Sequence, residues 1–252
     1  MYLIALVVIA SFGTFFLQYL KNQGADFNGI DPTILPIYDF PDIWQNTTYL
    51  GSFLKVFLAF IVIISVNNDV SYNTMRQNII DGISKWEFLS SKLLLILFLG
   101  LVSSLFLFMA GLVNGSIYSH VMGAEYIFDE LEFFAAYFYD IVVYCSLAFL
   151  LVLLIKKSGF VIIALALYTL MFEPILTTIL VNATFTQGTI WPHIAEFFPI
   201  RALNEMIPIP YPKYIFREIV DNVPWRPVAI STGWFVLYLS AIMFILKRRD
   251  LR

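Results

Sequence analysis

A carboxylate stands inside an apolar run, beside a proline: Glu173-Pro174 in YTLMFEPILTTILV. A charged acid in hydrocarbon is costly unless it is paired, protonated or facing water. Two chemistries fit it. Glu173 is a candidate pathway residue, turned toward a substrate or a proton. Alternatively it bonds to a neighbouring helix, or satisfies backbone freed by Pro174. Lys55 lies early in another apolar run, where its long stem lets the ammonium snorkel outward. Glu173 and Lys55 are nearly alone as ionisable residues in such runs, whereas proton-coupled carriers hold relays of them. The chain has no G-x-x-x-x-G-K-[ST], H-E-x-x-H or G-x-S-x-G motif and no Cys/His cluster, so nothing signals an ATP site, a zinc site or an acyl-transfer nucleophile. His120 and His193 fall in different loops. The single cysteine, Cys145, cannot form an intramolecular disulfide and reads as a small buried apolar residue.

A second group of residues is spaced for a mechanical task. In Asn67–Lys92, NNDVSYNTMRQNIIDGISKWEFLSSK, the residues Tyr72, Met75, Ile79, Ile83 and Trp86 recur at steps of three and four, which places them on one side of a helix. Asn73, Arg76, Gln77 and Asp81 fall elsewhere around it. Gly82 suits a left-handed position that ends this helix. Ser84 precedes Glu87 by three residues, the spacing of a capping box in which each side chain satisfies the other's backbone amide. The stretch therefore predicts a short amphipathic helix, a break at Gly82-Ile83, and a new helix from Ser84 into the apolar run beginning at Leu93.

These residues need elements to hold them, and composition says what kind. Hydrophobic residues make up 60% of the 252 and charged residues 13%, and mean hydropathy is +0.81. A soluble domain is about half apolar and about a quarter charged. The chain is read as one all-α integral membrane domain over residues 1–252. A spanning helix takes about 20 apolar residues. Six segments qualify: Tyr2–Leu20, Leu50–Val66, Leu93–Val113 (extending toward His120), Phe133–Ile155, Phe160–Val181 and Val228–Leu246. The first has no basic leader region and no small-residue cleavage site before Lys21, so it reads as a span rather than a signal peptide. Lys156-Lys157-Ser158-Gly159 predicts a tight turn that makes spans four and five antiparallel neighbours. The connection between spans five and six is long and apolar, and Trp191, Phe197, Phe198, Leu203, Met206 and Ile207 predict short re-entrant helices there. Trp44, Tyr49, Trp225 and Trp234, near span ends, read as interface anchors.

Orientation is set by the basic residues. One set of loops holds Arg76, Lys85, Lys92, Lys156, Lys157, Lys247, Arg248, Arg249 and Arg252. The other holds Lys21, Arg201, Lys213, Arg217 and Arg226, four of them in one long loop. The positive-inside rule makes the first set cytoplasmic, with both termini on that side. Acidic clusters on the other side, Asp26, Asp31, Asp39 and Asp42, then Glu125, Asp129, Glu130 and Glu132, agree.

The string DVSYNTMRQNIIDGISKWEFLSSKLLL resembles the first cytoplasmic loop of type-2, exporter-class ABC transporter permeases. In that family an acidic residue leads to a Gly/Ser/Asn-Thr-x-Arg segment, a short helix, a small-residue turn, Ser/Thr-[Arg/Lys]-x-Glu and a lysine before the third span. Asp69, Asn73-Thr74, Arg76, Gly82-Ile83, Ser84-Lys85-x-Glu87 and Lys92 match in that order. The six spans, the short basic turn, the external stretch FFPIRALNEMI and the C-terminal LKRRDL extend the likeness over essentially the whole chain. Two departures stand. Asn73 occupies a position where Gly is commoner, and the sequence opens on an apolar run where the family begins with a basic amphipathic helix.

The resemblance implies the transmembrane subunit of an ATP-driven exporter in the plasma (inner) membrane. Its site is an ATPase-coupling loop formed by Tyr72, Asn73, Thr74, Met75, Arg76, Ile79, Asp81, Gly82, Ile83, Ser84, Lys85 and Glu87. It implies two partners besides lipid: a separate ATPase subunit, which carries ATP and Mg, and a second permease subunit, identical or related. This chain itself is then not an enzyme, holds no cofactor and binds no nucleic acid. Two other classes remain open on the residues alone: a proton-coupled carrier or membrane enzyme built around Glu173, and a non-transporting membrane scaffold. An ATPase with a Walker motif encoded beside this chain would favour the first reading.

Overall fold

The computed structural model describes residues 1–8, 19, 38–72, 77, 82–121, 123–183, 188–210 and 222–248. Among them every regular element is helical. Among the described residues, four helical stretches are long and apolar enough to cross a membrane, or five if a bent pair of helices counts as one span. The chain is a membrane protein of all-α class. The expected first span begins as a helix at Tyr2, but most of it falls on residues 9–18 and 20, outside those described.

Where the second span is expected lies that bent pair, α1 (Ile43–Ser52) and α2 (Lys55–Ser71). α1 starts seven residues before the expected Leu50 and α2 ends later than Val66, so Asn67–Ser71 belongs to α2 and not to the connecting stretch. α3 (Lys85–Tyr118) has 34 residues. At 1.5 Å per residue it is about 51 Å long, well beyond the roughly 30 Å of hydrocarbon, so its polar first turns project past the apolar core. After the one-turn α4 (Ala124–Ile127) comes α5 (Glu132–Ile155). Lys156 takes the left-handed conformation at φ 60°, and α6 (Ser158–Leu167) begins two residues later. The tight basic turn read from the sequence is present. A π-helical turn, Tyr168–Phe172, joins α6 to α7 (Glu173–Asn182). The short α8 (Trp191–Ala195) and α9 (Pro199–Met206) come next, and α10 (Trp225–Arg248) is last.

The chain divides into two compact units. The first comprises Met1–Leu54, Leu101–Phe138 and Ile207–Val223. Its centre is Trp44, fully buried and packed against Phe40, Phe108 and Phe134. The indole Nε1 donates to the Ile127 carbonyl at 2.9 Å, as a buried Trp N–H must find an acceptor. Trp44 is therefore a core residue, not the interface anchor the sequence suggested. Its ring lies over Gly111 of α3, where a Cβ would stand 2.7 Å from Cζ3. Polar groups in this unit are tied to one another. The Ser103 hydroxyl bonds Tyr2 at 2.7 Å and Tyr137 at 2.8 Å, and Gln45 donates to the Pro208 carbonyl.

The second unit comprises Lys55–Gly100, Tyr139–Met206 and Pro224–Arg252. α2 packs on α6, α8 on α7, and α9 on both α7 and α10. Its apolar core includes Leu58, Val62 and Val66 of α2, Ile141, Phe149 and Val152 of α5, Val161 and Leu165 of α6, and Ile242 of α10. In the 18-residue apolar stretch of the helix ending at Ile155, 67% of residues are buried within the protein, against 17–22% in those of the other three long helices. α5 is thus the enclosed helix, and the others present apolar faces outward, as lipid-facing helices do.

Candidate functional site

The loop residues divide by position. Asn73, Thr74, Met75, Arg76, Asn78, Ile79, Ile80 and Asp81 lie outside the described residues, and with them most of the expected amphipathic helix. The break and the head of α3 lie within them. Gly82 adopts φ 101°, the left-handed conformation that only glycine enters freely. Ser84 and Glu87 form the reciprocal capping box. The Glu87 amide donates to Ser84 Oγ at 3.1 Å, and the Ser84 amide donates to a Glu87 carboxylate oxygen at 2.6 Å. The bond from the Ser84 backbone, then the Ser84 hydroxyl, holds the exposed Glu87 carboxyl below the usual carboxylate range. α3 thus begins as a capped helix and continues unbroken into the apolar run.

Two more contacts fix this end of α3. Lys92 forms an ion pair with Asp69 near the end of α2 and donates to Ser65 Oγ at 3.0 Å. Lys85 donates to the Lys247 carbonyl at 3.2 Å, in the last turn of α10. Helix ends leave carbonyls unsatisfied, and a lysine there suits the negative end of the dipole. Around this joint the side chains of Tyr72, Ile83 and Trp86 are exposed, at 76%, 41% and 62%.

The second group of interest is buried in the second unit. Lys55 does not snorkel. It is 3% exposed, and its ammonium donates to both oxygens of Asp140, at 2.7 and 3.0 Å. The same nitrogen lies 3.5 Å from Asn204 Oδ1 on α9 and 5.3 Å from the centre of the Tyr144 ring. Tyr144 in turn bonds Thr169 in the π-helical turn at 3.0 Å. A charge pair removed from water is tolerable only when its remaining hydrogen-bonding capacity is also filled, and this one meets an amide and an aromatic face. Sequence reasoning misses Asp140, although the signal is plain: a carboxylate in FFAAYFYDIVVYCSL, with a lysine in another span to match it. The buried lysines and carboxylates of these helices are therefore three, Lys55, Asp140 and Glu173, among those described.

Glu173 is 1% exposed. Its Oε1 accepts the Arg201 amide at 2.8 Å, so the carboxylate is bonded to a neighbouring helix. The hydroxyl of Thr177 returns to the Glu173 carbonyl at 2.9 Å. Pro174 brings no amide to the helix and its ring crowds the carbonyl four residues back. The chain answers by widening, and the Glu173 amide bonds to the Tyr168 carbonyl, five residues back. Cys145 is buried and unpaired.

No protein-family model matches the chain, and no curated protein matches it.

Proposed function

We propose that this chain is the transmembrane subunit of an ATP-driven exporter of the ABC class, driven by a separate ATPase that docks on the stretch Tyr72–Glu87. The observation that carries the reading is the joint at the head of α3. A left-handed Gly82 and the Ser84–Glu87 capping box end one segment and start a rigid helix that runs straight into the membrane. The Lys92–Asp69 pair and the Lys85 contact to α10 link that helix end to two others. A push delivered to the preceding segment is transmitted to α3 as a lever, because a capped, continuous helix does not absorb it by fraying. The exposed Tyr72, Ile83 and Trp86 provide the apolar, aromatic surface from which interface hot spots are built.

In this reading ATP and Mg belong to the partner, two permease subunits form the pathway between them, and the loop faces the cytoplasm. Six spans and a re-entrant stretch containing α8 and α9 complete the architecture. A carrier or membrane enzyme built around Glu173 is the second reading, favoured by a buried lysine and two buried carboxylates in one unit. Lys55 and Asp140 neutralise each other there, which leaves Glu173 alone as a candidate pathway residue. Co-expression with an ATPase encoded beside this chain separates the two. The exporter reading expects stoichiometric co-purification and an ATPase rate that depends on the membrane subunit. A chain that purifies free of any such partner and moves protons in vesicles belongs to the second reading.

A further inference from the structure

Helix α9 starts after an apolar side chain, which cannot cap it. Phe198 precedes it and Pro199 is its first residue. Proline suits that position; the Phe198 carbonyl takes the Ala202 amide at 2.9 Å, but the Phe198 side chain has no acceptor for the free amides before that one. The acceptor arrives from α7: Glu173 Oε1 takes the Arg201 amide at 2.8 Å, from 28 residues away. The carboxylate also stands at the positive end of the α9 dipole. The chain just before α9 is held by Trp234 of α10, whose Nε1 donates to the Phe197 carbonyl at 2.7 Å. Along α9, Asn204 meets Lys55 of the buried pair.

The other side of Glu173 is irregular. The π-helical turn Tyr168–Phe172 precedes it and Pro174 comes directly after. Bends in membrane helices occur at such places, because the regular hydrogen-bond ladder is already interrupted. A single carboxylate thus joins a bendable point in one helix to the first turn of another.

We propose that Glu173 is a positioning residue, a latch that makes α7 and α9 move as one body. Bending at residues 168–174 carries α9 with it, and withdrawal of the carboxylate frees the first turn of α9. Its use in transport rests on the exporter reading, whereas the latch itself is tested without any partner.

The probe is a single cysteine at Leu203, a buried α9 residue, in the full chain with Cys145→Ala, reacted with a small maleimide in detergent micelles. Slow reaction is expected with Glu173 and with Glu173→Gln, whose amide oxygen preserves the acceptor. Glu173→Ala is expected to react about tenfold faster, as loss of a cap raises local opening, with no matching fall in the melting temperature of the whole protein. Equal rates for Glu173→Ala and the parent overturn the latch, as does Glu173→Gln reacting as fast as Glu173→Ala. Should Glu173→Ala not assemble, hydrogen exchange on the parent decides. Protection of the Arg201 amide like that of α10 supports the latch, and exchange at open-segment rates overturns it. Failure here leaves co-purification with an ATPase untouched, and failure of co-purification leaves this result standing.

Discussion

Lys55 and Asp140 define what a buried charge does in this chain. Each is acceptable inside the protein only because the other is there. Removing one partner strands a charge, which costs about 3–5 kcal/mol, whereas replacing both by apolar residues of similar volume is often close to neutral. Lys55→Met and Asp140→Leu are each expected to destabilise strongly, and the double variant to recover most of the loss in a detergent melting experiment. Additive losses would show that the two side chains do not depend on each other. Glu173 is legible as an unusual residue from its place in the run, and its partner is not. Arg201 contributes a backbone amide, and every residue but proline has one, so no pattern of side chains could point to it. Trp44 misleads for a related reason. A tryptophan beside a polar stretch suits an interface, and only the glycine at position 111 of a distant helix makes room to bury it.

At the scale of elements, the sequence is most informative where local chemistry sets a boundary. Ser84–Glu87, Gly82 and the Lys156-Lys157 turn act within a few residues, and each forms where the spacing puts it. Helix α1 is less legible. Gln45, Asn46, Thr47 and Thr48 are polar yet buried in α1, and the threonine hydroxyls return to carbonyls of their own helix. A hydropathy reading discards such a helix because it counts the side chains and not their bonds. The π-helical turn is invisible for want of any composition signal beyond Pro174. At the head of α3, Ser84→Ala is expected to cost about 1 kcal/mol of local helix stability, seen as faster hydrogen exchange over residues 84–88. The capping bond also fixes a pH dependence. Glu87 has its carboxyl lowered in the folded chain, so the bond is fully present above the unfolded pKa of about 4.3. It is lost as pH falls through the folded value, which lies lower still. Exchange at this helix end, corrected for intrinsic rates, is expected to hold from neutrality to about pH 5 and to rise only below the usual carboxylate range. Fraying already near pH 6 would show that the carboxylate is not what holds the cap.

Across the whole molecule, membrane character is the easiest inference, because it depends on bulk composition. The number of spans and their direction depend on segments that include residues outside those described, and on an asymmetry of lysine and arginine that no helix geometry records. Orientation is open to a direct test. Single cysteines at Gln77 and Asp129, with Cys145 replaced, are expected to react with an impermeant reagent from opposite sides in intact cells. Reaction of both from outside would reverse the assignment of the Tyr72–Glu87 stretch to the cytoplasm.

The measurement closest to the central claim compares binding and coupling in the same variants. The chain and an ATPase encoded beside it are co-expressed, and Met75→Ala, Ile79→Ala and Ser84→Ala are assayed for ATPase capture and for export. An apolar residue at the centre of an interface contributes at least about 1 kcal/mol. Met75→Ala or Ile79→Ala is therefore expected to weaken capture about fivefold or more. Ser84→Ala is expected to bind normally, hydrolyse ATP and export less, because only the lever has loosened. Capture and export equal to the parent in all three would contradict the account and reduce Tyr72–Glu87 to a connector on the membrane surface.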